Sequence, residues 1–290
     1  MVQAKYGKYF FRGPKPGAKA KHAIRIAQVD DDVIRGSFHM TSRFFRKSES
    51  GRVHHPHNHP YAEILLFHGL NPKDPSYLGS EMELYVGDGF ERHTINKTTA
   101  VYMPPGMVHC PLVYRYKEPF LYAVAILAPL WVENFYPEKI NQDTVWERRY
   151  DKYFITGPKP REIRKECKSV TTYVDDDVIK GSSLFFTTFM SDGDSSIEDN
   201  PHTHNFGQLL CFFGNNPEDD FDLGAEIELC MGDEMEKHTI NQSTAVYIPP
   251  GLVHGQIKYR VKKPFILMAI GGPKANENPP TGWFWSDRLA

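Results

Sequence analysis

Residues 91–109 read ERHTINKTTAVYMPPGMVH, and residues 236–254 read EKHTINQSTAVYIPPGLVH. The two stretches lie 145 positions apart in a chain of 290 residues, so one half restates the other. Working outward, VDDDVIRGS from Val29 returns as VDDDVIKGS from Val174. The offset runs without a gap from Val29 to about Ile126, and roughly 45 of those 98 positions are identical. The openings KYFFRGPKP and KYFITGPKP also match, after a shift of one residue. Repetition at this scale makes each half a domain of ordinary size. The expected division is an N-terminal barrel over 1–127, a connector over 128–150, and a C-terminal barrel with an aromatic tail over 151–290. The connector carries Trp131, Phe135, Tyr136 and Trp146 and reads as a packed crossover.

Within each half the patterns are those of strands. SEMELYVG sets Glu81, Glu83 and Tyr85 against Met82, Leu84 and Val86, and AEIELCMG repeats the alternation. TAVYMPPG, AEILLFHG and PFLYAVAI are short runs rich in β-branched and aromatic residues, bounded by Gly and Pro. The expected fold class is all-β, a sandwich or barrel in each half.

Composition excludes several functions. A net charge of -2 and a pI near 6.7 leave no excess of Lys and Arg with which to displace counterions from nucleic acid or hold an anionic membrane. No run approaches the roughly 20 apolar residues of a spanning helix, and the start lacks a signal-peptide pattern. Cys110, Cys167, Cys211 and Cys230 are scattered with no CxxC pair, as expected of reduced thiols. A soluble, cytoplasmic protein is expected, with no nucleic-acid or membrane partner and with homodimerisation left open.

HPHNHPYAE places His57, His59 and Glu63 at positions of one parity, so on a strand all three project from the same face. PPGMVH adds His109 after a turn fixed by Pro104, Pro105 and Gly106. Three imidazoles and a carboxylate form a ligand set for a divalent transition metal, with Fe, Mn, Ni and Zn all compatible. NPHTHNFGQ and PPGLVH place His202, His204, Gln208 and His254 at the equivalent positions, where neutral Gln208 is a weaker donor than a carboxylate. His54 and His55 lack partners in the second copy, which selects His57 and His59 as ligands.

With these residues the chain resembles the cupin superfamily, whose motifs are G(X)5HXH(X)3-4E(X)6G and G(X)5PXG(X)2H(X)3N. Gly51, His57, His59, Glu63 and Gly69 follow the first, one residue short before Gly69. Pro104, Gly106 and His109 follow the second, with Thr98 for its first Gly and Val113 for its Asn. The second copy follows through His202, His204, Gly214, Pro249, Gly251 and His254, with Gln208 in place of the acid. The resemblance covers both halves and implies a bicupin: two tandem double-stranded β-helix barrels, jelly-roll-like, each with a metal inside. Cupins of similar ligand set include dioxygenases, decarboxylases, isomerases and lyases. The leading expectation is a metal-dependent enzyme on a small oxygenated organic substrate, of dioxygenase type, working in the fully ligated first barrel. The alternatives are a non-oxidative lyase, decarboxylase or isomerase, and a non-catalytic ligand-binding or storage bicupin. Glu63 and His93 are the candidate catalytic residues. His238 repeats His93.

Glu81, Glu83, Glu226 and Glu228 read as a solvated strand face, paired with Arg115 and Arg260. The acidic triplets beginning at Asp30 and Asp175 read as turns before a strand.

Overall fold

The computed structural model describes residues 4–13, 25–46, 49–129, 131–140, 147–157, 170–191, 193–197 and 201–272. Cys167, Trp146 and the aromatic tail lie outside them. The strands form four antiparallel sheets, two per half, in the tandem cupin barrel arrangement. In the N-terminal half one sheet orders Thr99–Met103, Glu63–Gly69, Phe120–Ile126, His39–Phe45 and Arg25–Val29 side by side. The facing sheet carries His57–Asn58, His109–Tyr116, Tyr77–Val86 and Glu91–Lys97. No helix among the described residues is long and apolar enough to cross a membrane.

The strand Glu63–Gly69 shows why some segments lack alternation. All seven of its residues are buried, because both faces of the strand are covered. Leu65 and Phe67 join the barrel interior, whereas Ile64 and Leu66 enter a core shared with Phe186, Leu209 and Phe213 of the other half. The halves are therefore joined by one continuous apolar layer, whose burial is the main force holding them. His68 sits in that layer, with Nε2 2.9 Å from Thr171 Oγ1 of the other half. On the outer sheet the expected alternation holds: Met82 and Leu84 are fully buried and Glu81 is exposed. Arg115 lies opposite Glu81 and contacts Glu81 and Glu83 at 3.3 and 3.1 Å. Asp30 accepts from the backbone N–H groups of Asp32 and Val33, and Asp175 repeats this with Asp177 and Val178, so both triplets are turns.

The halves also exchange their opening segments. Phe10–Phe11 pairs with Thr244–Ile248 of the C-terminal barrel, and Phe154–Ile155 pairs with Thr99–Met103 of the N-terminal one. A boundary at 127 divides the chain but not the sheets. Each arm docks a tyrosine on a glycine. A Cβ on Gly87 would lie 2.2 Å from the Tyr150 hydroxyl, and one on Gly232 2.2 Å from that of Tyr6.

One strand breaks the uniform repeat. Phe120 pairs with Phe45, but its counterpart Phe265 pairs with Ser191, one residue beyond the position that an offset of 145 assigns to Phe45. A shift of one reverses which face each side chain occupies. The structural counterparts of His39 and Arg43 are thus Phe185 and Phe189, not Leu184 and Thr188. The gapless alignment is corrected here: the halves differ in register along one wall of the barrel.

Candidate metal centre

His57 and His109 face each other on paired strands, and Glu63 opens the neighbouring strand of the other sheet. The turn before His109 is stitched to the HxH segment. Gly106 N–H donates to His59 O at 2.7 Å, and Asn58 Nδ2 donates to Gly106 O at 3.0 Å. Gly106 has φ +80°, a conformation that favours glycine. The local sequence thus fixes how the two motifs meet.

Each ring of the first cluster is oriented from behind. Nδ1 of His57 lies 2.6 Å from His55 O, Nδ1 of His59 2.6 Å from Val132 O, and Nδ1 of His109 3.0 Å from Met107 O. A proton on Nδ1 donates to each carbonyl and leaves Nε2 with its lone pair facing inward, as metal-ligating histidines require. Glu63 Oε2 is 3.0 Å from His109 Nε2 and 3.6 Å from His59 Nε2. His59 Nε2 and Glu63 Oε2 are buried without a hydrogen-bond partner, although the charges are close. Buried polar atoms left this way call for an explanation, and atoms converging on a shared cation supply one. Ligand atoms of His59, Glu63 and His109 lie within 4.8 Å of one another, and those of His57, His109 and Cys110 form a second such group. Burial opposes ionisation of Glu63, yet the imidazoles of His109, His59 and His57 hold its carboxyl below the ordinary range. Burial and the neighbouring His109 lower His57 to about 4, which keeps it neutral and able to ligate.

His57, Glu63 and His109 line a cavity of about 370 Å³. The polar wall includes Gln28, His54, Arg43 and Glu133, and the apolar wall includes Leu65, Leu84, Leu112, Val124 and Trp131. The connector supplies two of these residues. Asn134–Phe135 pairs with His57–Asn58 as an edge strand, Trp131 packs 4.7 Å from the His59 ring, and Glu133 Oε1 lies 3.7 Å from His57 Nε2.

The second cluster has the same core. His202, His204 and His254 offer ligand atoms within 4.8 Å of one another, and His202 bridges His254 across the strands. His254 Nδ1 lies 3.0 Å from Leu252 O, while its Nε2 has no hydrogen-bond partner, nor does Oε1 of buried Gln208. Burial and mutual repulsion among the imidazoles lower His254 to about 3 and His204 to about 4. No carboxylate offsets a cation among these four residues. The interior differs as well: Phe185 and Phe189, at the places of His39 and Arg43, join Leu210, Leu229, Ile257 and Leu267 in one apolar cluster.

His93 is placed elsewhere. Its ring stacks 4.2 Å from Phe154 of the exchanged arm, with Nε2 2.7 Å from Glu91 Oε1 and Nδ1 3.1 Å from Asp151 Oδ1. It does not line the cavity, and His238 repeats the pose against Phe10 at 4.5 Å. The structure brings seven of the eight proposed ligands into two clusters, leaves Gln208 buried with its Oε1 unpartnered, and places His93 outside both.

Glu133, Trp131, Arg43 and Cys110 are among the cavity residues that the sequence reading did not assign to the site. Glu133 and Trp131 lie in the connector, which has no clear second copy. Arg43 was hidden by the register shift. Cys110, replaced by Gly255 in the second half, follows a ligand directly and was read only as a reduced thiol. The signal for Arg43 was the parity of His39, Thr41 and Arg43 on one strand.

Fold and site together define a protein of two cupin-fold barrels with a cluster of residues that could hold a metal ion in each. The comparisons with known structures agree on the fold. AerE from Microcystis aeruginosa superposes with a TM-score of 0.53 and 12% identity, over 92% of this chain and 100% of its own. Oxalate decarboxylase from Bacillus subtilis, a protein with Mn(II) centres, gives 0.56 and 11%, over 88% and 74%. The 11S globulin from Wrightia tinctoria, which has an auxin-binding site, gives 0.60 and 10%, over 91% and 83%. No protein-family model matches the chain, and no curated protein matches it.

Proposed function

We propose that the protein is a metal-dependent bicupin enzyme of non-oxidative type, a lyase, decarboxylase or isomerase, working in the N-terminal barrel on a small oxygenated organic substrate. The observation that carries this reading is the carboxylate of Glu133, which reaches the cavity 3.7 Å from His57 Nε2. Proton transfer at a substrate carbon needs such a group beside the ligands, whereas activation of oxygen does not. The structural likeness to oxalate decarboxylase supports this reading over the dioxygenase one.

His57, His59, Glu63 and His109 would hold the cation, which supplies Lewis-acid polarisation of a substrate oxygen when bound. The three Nδ1 hydrogen bonds keep the rings aimed inward before substrate arrives, so little reorganisation accompanies binding. Glu133 accepts a proton from the substrate, or returns one, through a carboxylate oxygen within the cavity. Trp131 covers the ligand end and limits water there. In the second barrel, apolar packing leaves its cluster a structural role.

Two measurements test the proposal. Elemental analysis of wild type beside His57→Ala and His202→Ala shows whether the first barrel binds metal. No metal in protein purified without chelator would favour the ligand-binding reading, for which the globulin likeness is the support. A screen of small carboxylic and hydroxylated acids, run in air and under argon, then separates the chemistries. Turnover is expected to be equal in both, and oxygen consumed in step with product would restore the dioxygenase.

A further inference from the structure

Arg43 stands on the His39–Phe45 strand, lines the cavity, and holds its guanidinium 5.5 Å from the Phe45 ring and 5.6 Å from the Tyr122 ring. No ion pair to Arg43 forms among the described residues. A cation stacked between two aromatic faces is held in place but not neutralised. The strand register separates it from the metal ligands. Glu63 lies level with Ile126 and through it with His39, whereas Arg43 lies level with Tyr122. Four residues of strand span about 13 Å.

We infer that the substrate is an elongated carboxylate with an apolar body, its carboxylate held by Arg43 and its reacting oxygen at the metal ligands. This rests on the function proposed above and deepens it. Size favours the inference: about 370 Å³ is the share of roughly a dozen waters at ~30 Å³ each, far more than a two-carbon diacid displaces. Wall chemistry favours it too, because Leu65 and Val124, paired midway between the levels of Glu63 and Arg43, and Leu84 and Leu112 of the facing sheet give an apolar body a surface to rest on. The other barrel acts as an internal comparison. There the register shift puts Phe189 at the place of Arg43 and Phe185 at the place of His39, both within an apolar cluster. The charged anchor is thus particular to the N-terminal barrel.

The test is binding, read by Trp131 fluorescence and by calorimetry, with phenylacetate, its neutral amide phenylacetamide, acetate and oxalate as probes. Each is measured on protein with and without added Mn²⁺. Phenylacetate is expected to bind wild type at least about tenfold more tightly than the amide or acetate, as a charge-assisted bidentate contact implies. Arg43→Gln is expected to remove the preference for the acid over the amide, and Arg43→Lys to keep part of it, while Mn²⁺ binding stays unchanged in both. Equal binding of acid and amide by wild type, tighter binding of oxalate than phenylacetate, or an undiminished preference in Arg43→Gln would each overturn the inference. The preference in metal-free protein separates the two proposals: if Mn²⁺ fails to bind yet the acid preference tracks Arg43, the enzyme reading falls and the anion anchor stands. Leu112→Phe, which narrows the apolar wall and leaves the charge alone, is expected to weaken phenylacetate but not acetate; equal effects on both would count against an apolar body.

Discussion

Nδ1 of His59 lies 2.6 Å from the carbonyl oxygen of Val132, so the segment leaving the N-terminal barrel turns back and orients one of that barrel's candidate metal ligands. Tyr61 holds Val132 in place. Its hydroxyl accepts from Val132 N–H at 2.5 Å and donates to Val132 O at 3.2 Å. Removing that clamp with Tyr61→Phe is expected to weaken Mn²⁺ binding by roughly tenfold, the usual scale for a lost outer hydrogen bond. A calorimetric titration checks it, and unchanged affinity would show that the ring needs no support from the connector.

The two clusters differ at one ligand position, Glu63 against Gln208. A carboxylate neutralises part of a divalent charge that an amide leaves uncompensated. Glu63→Gln is therefore expected to weaken the first site at least about tenfold, and Gln208→Glu to strengthen the second. Competition of each variant against a metal-sensitive dye reads both effects. Opposite shifts are the expected result, and shifts of the same sign would contradict the assignment.

His93 belongs to the exchanged arm by its contacts with Phe154 and Asp151. Phe154 is partly buried, so Phe154→Ala is expected to lower the unfolding free energy by about 2 kcal/mol, below the range for a fully buried ring. His93→Gln is expected to lower stability and to leave metal content at the wild-type level. Urea unfolding alongside elemental analysis distinguishes this from a role at the metal centre, which loss of metal in His93→Gln would reveal.

His68 makes the junction between halves sensitive to acid. Burial lowers its pKa from 6.5 to about 4, opposed in part by its hydrogen bond to Gly69 O. Between those values the unfolded chain takes up a proton that the folded chain refuses. Stability is thus complete above pH 6.5 and falls as the pH drops towards 4, at up to about 1.4 kcal/mol per unit. His68→Phe, which places at 68 the side chain of the matching Phe213, is expected to flatten that dependence. Denaturation curves for both proteins at pH 7, 6 and 5 give the comparison, and parallel slopes would assign the acid sensitivity elsewhere.

Much of this was legible in the residues. The doubled HTIN and PPG segments located two barrels, and the repeated HxH and PPGxVH segments picked out the candidate ligands. Their shared parity is not what unites them, because His57 lies in one sheet, His59 follows that strand and Glu63 opens a strand of the other sheet. The solvated strand with Glu81 and Glu83, and its pairing with Arg115, followed from alternation alone. What escaped lay where the copies diverge. Glu133 sits in a connector without a clear partner, and identity between halves says nothing about such a segment. Arg43 was misaligned by one position, and in a strand one position is the difference between interior and exterior.

Sequence alone determined the β architecture and the duplication and pointed to the candidate ligands, because alternation is enforced by local strand geometry and the repeat shows which residues both copies keep. Tertiary structure decided which residues line the cavity of the first barrel, that the opening arms cross between halves, and that His93 lies against an exchanged arm. Those outcomes depend on strand register and on surfaces meeting from residues far apart in the chain, which no local pattern records.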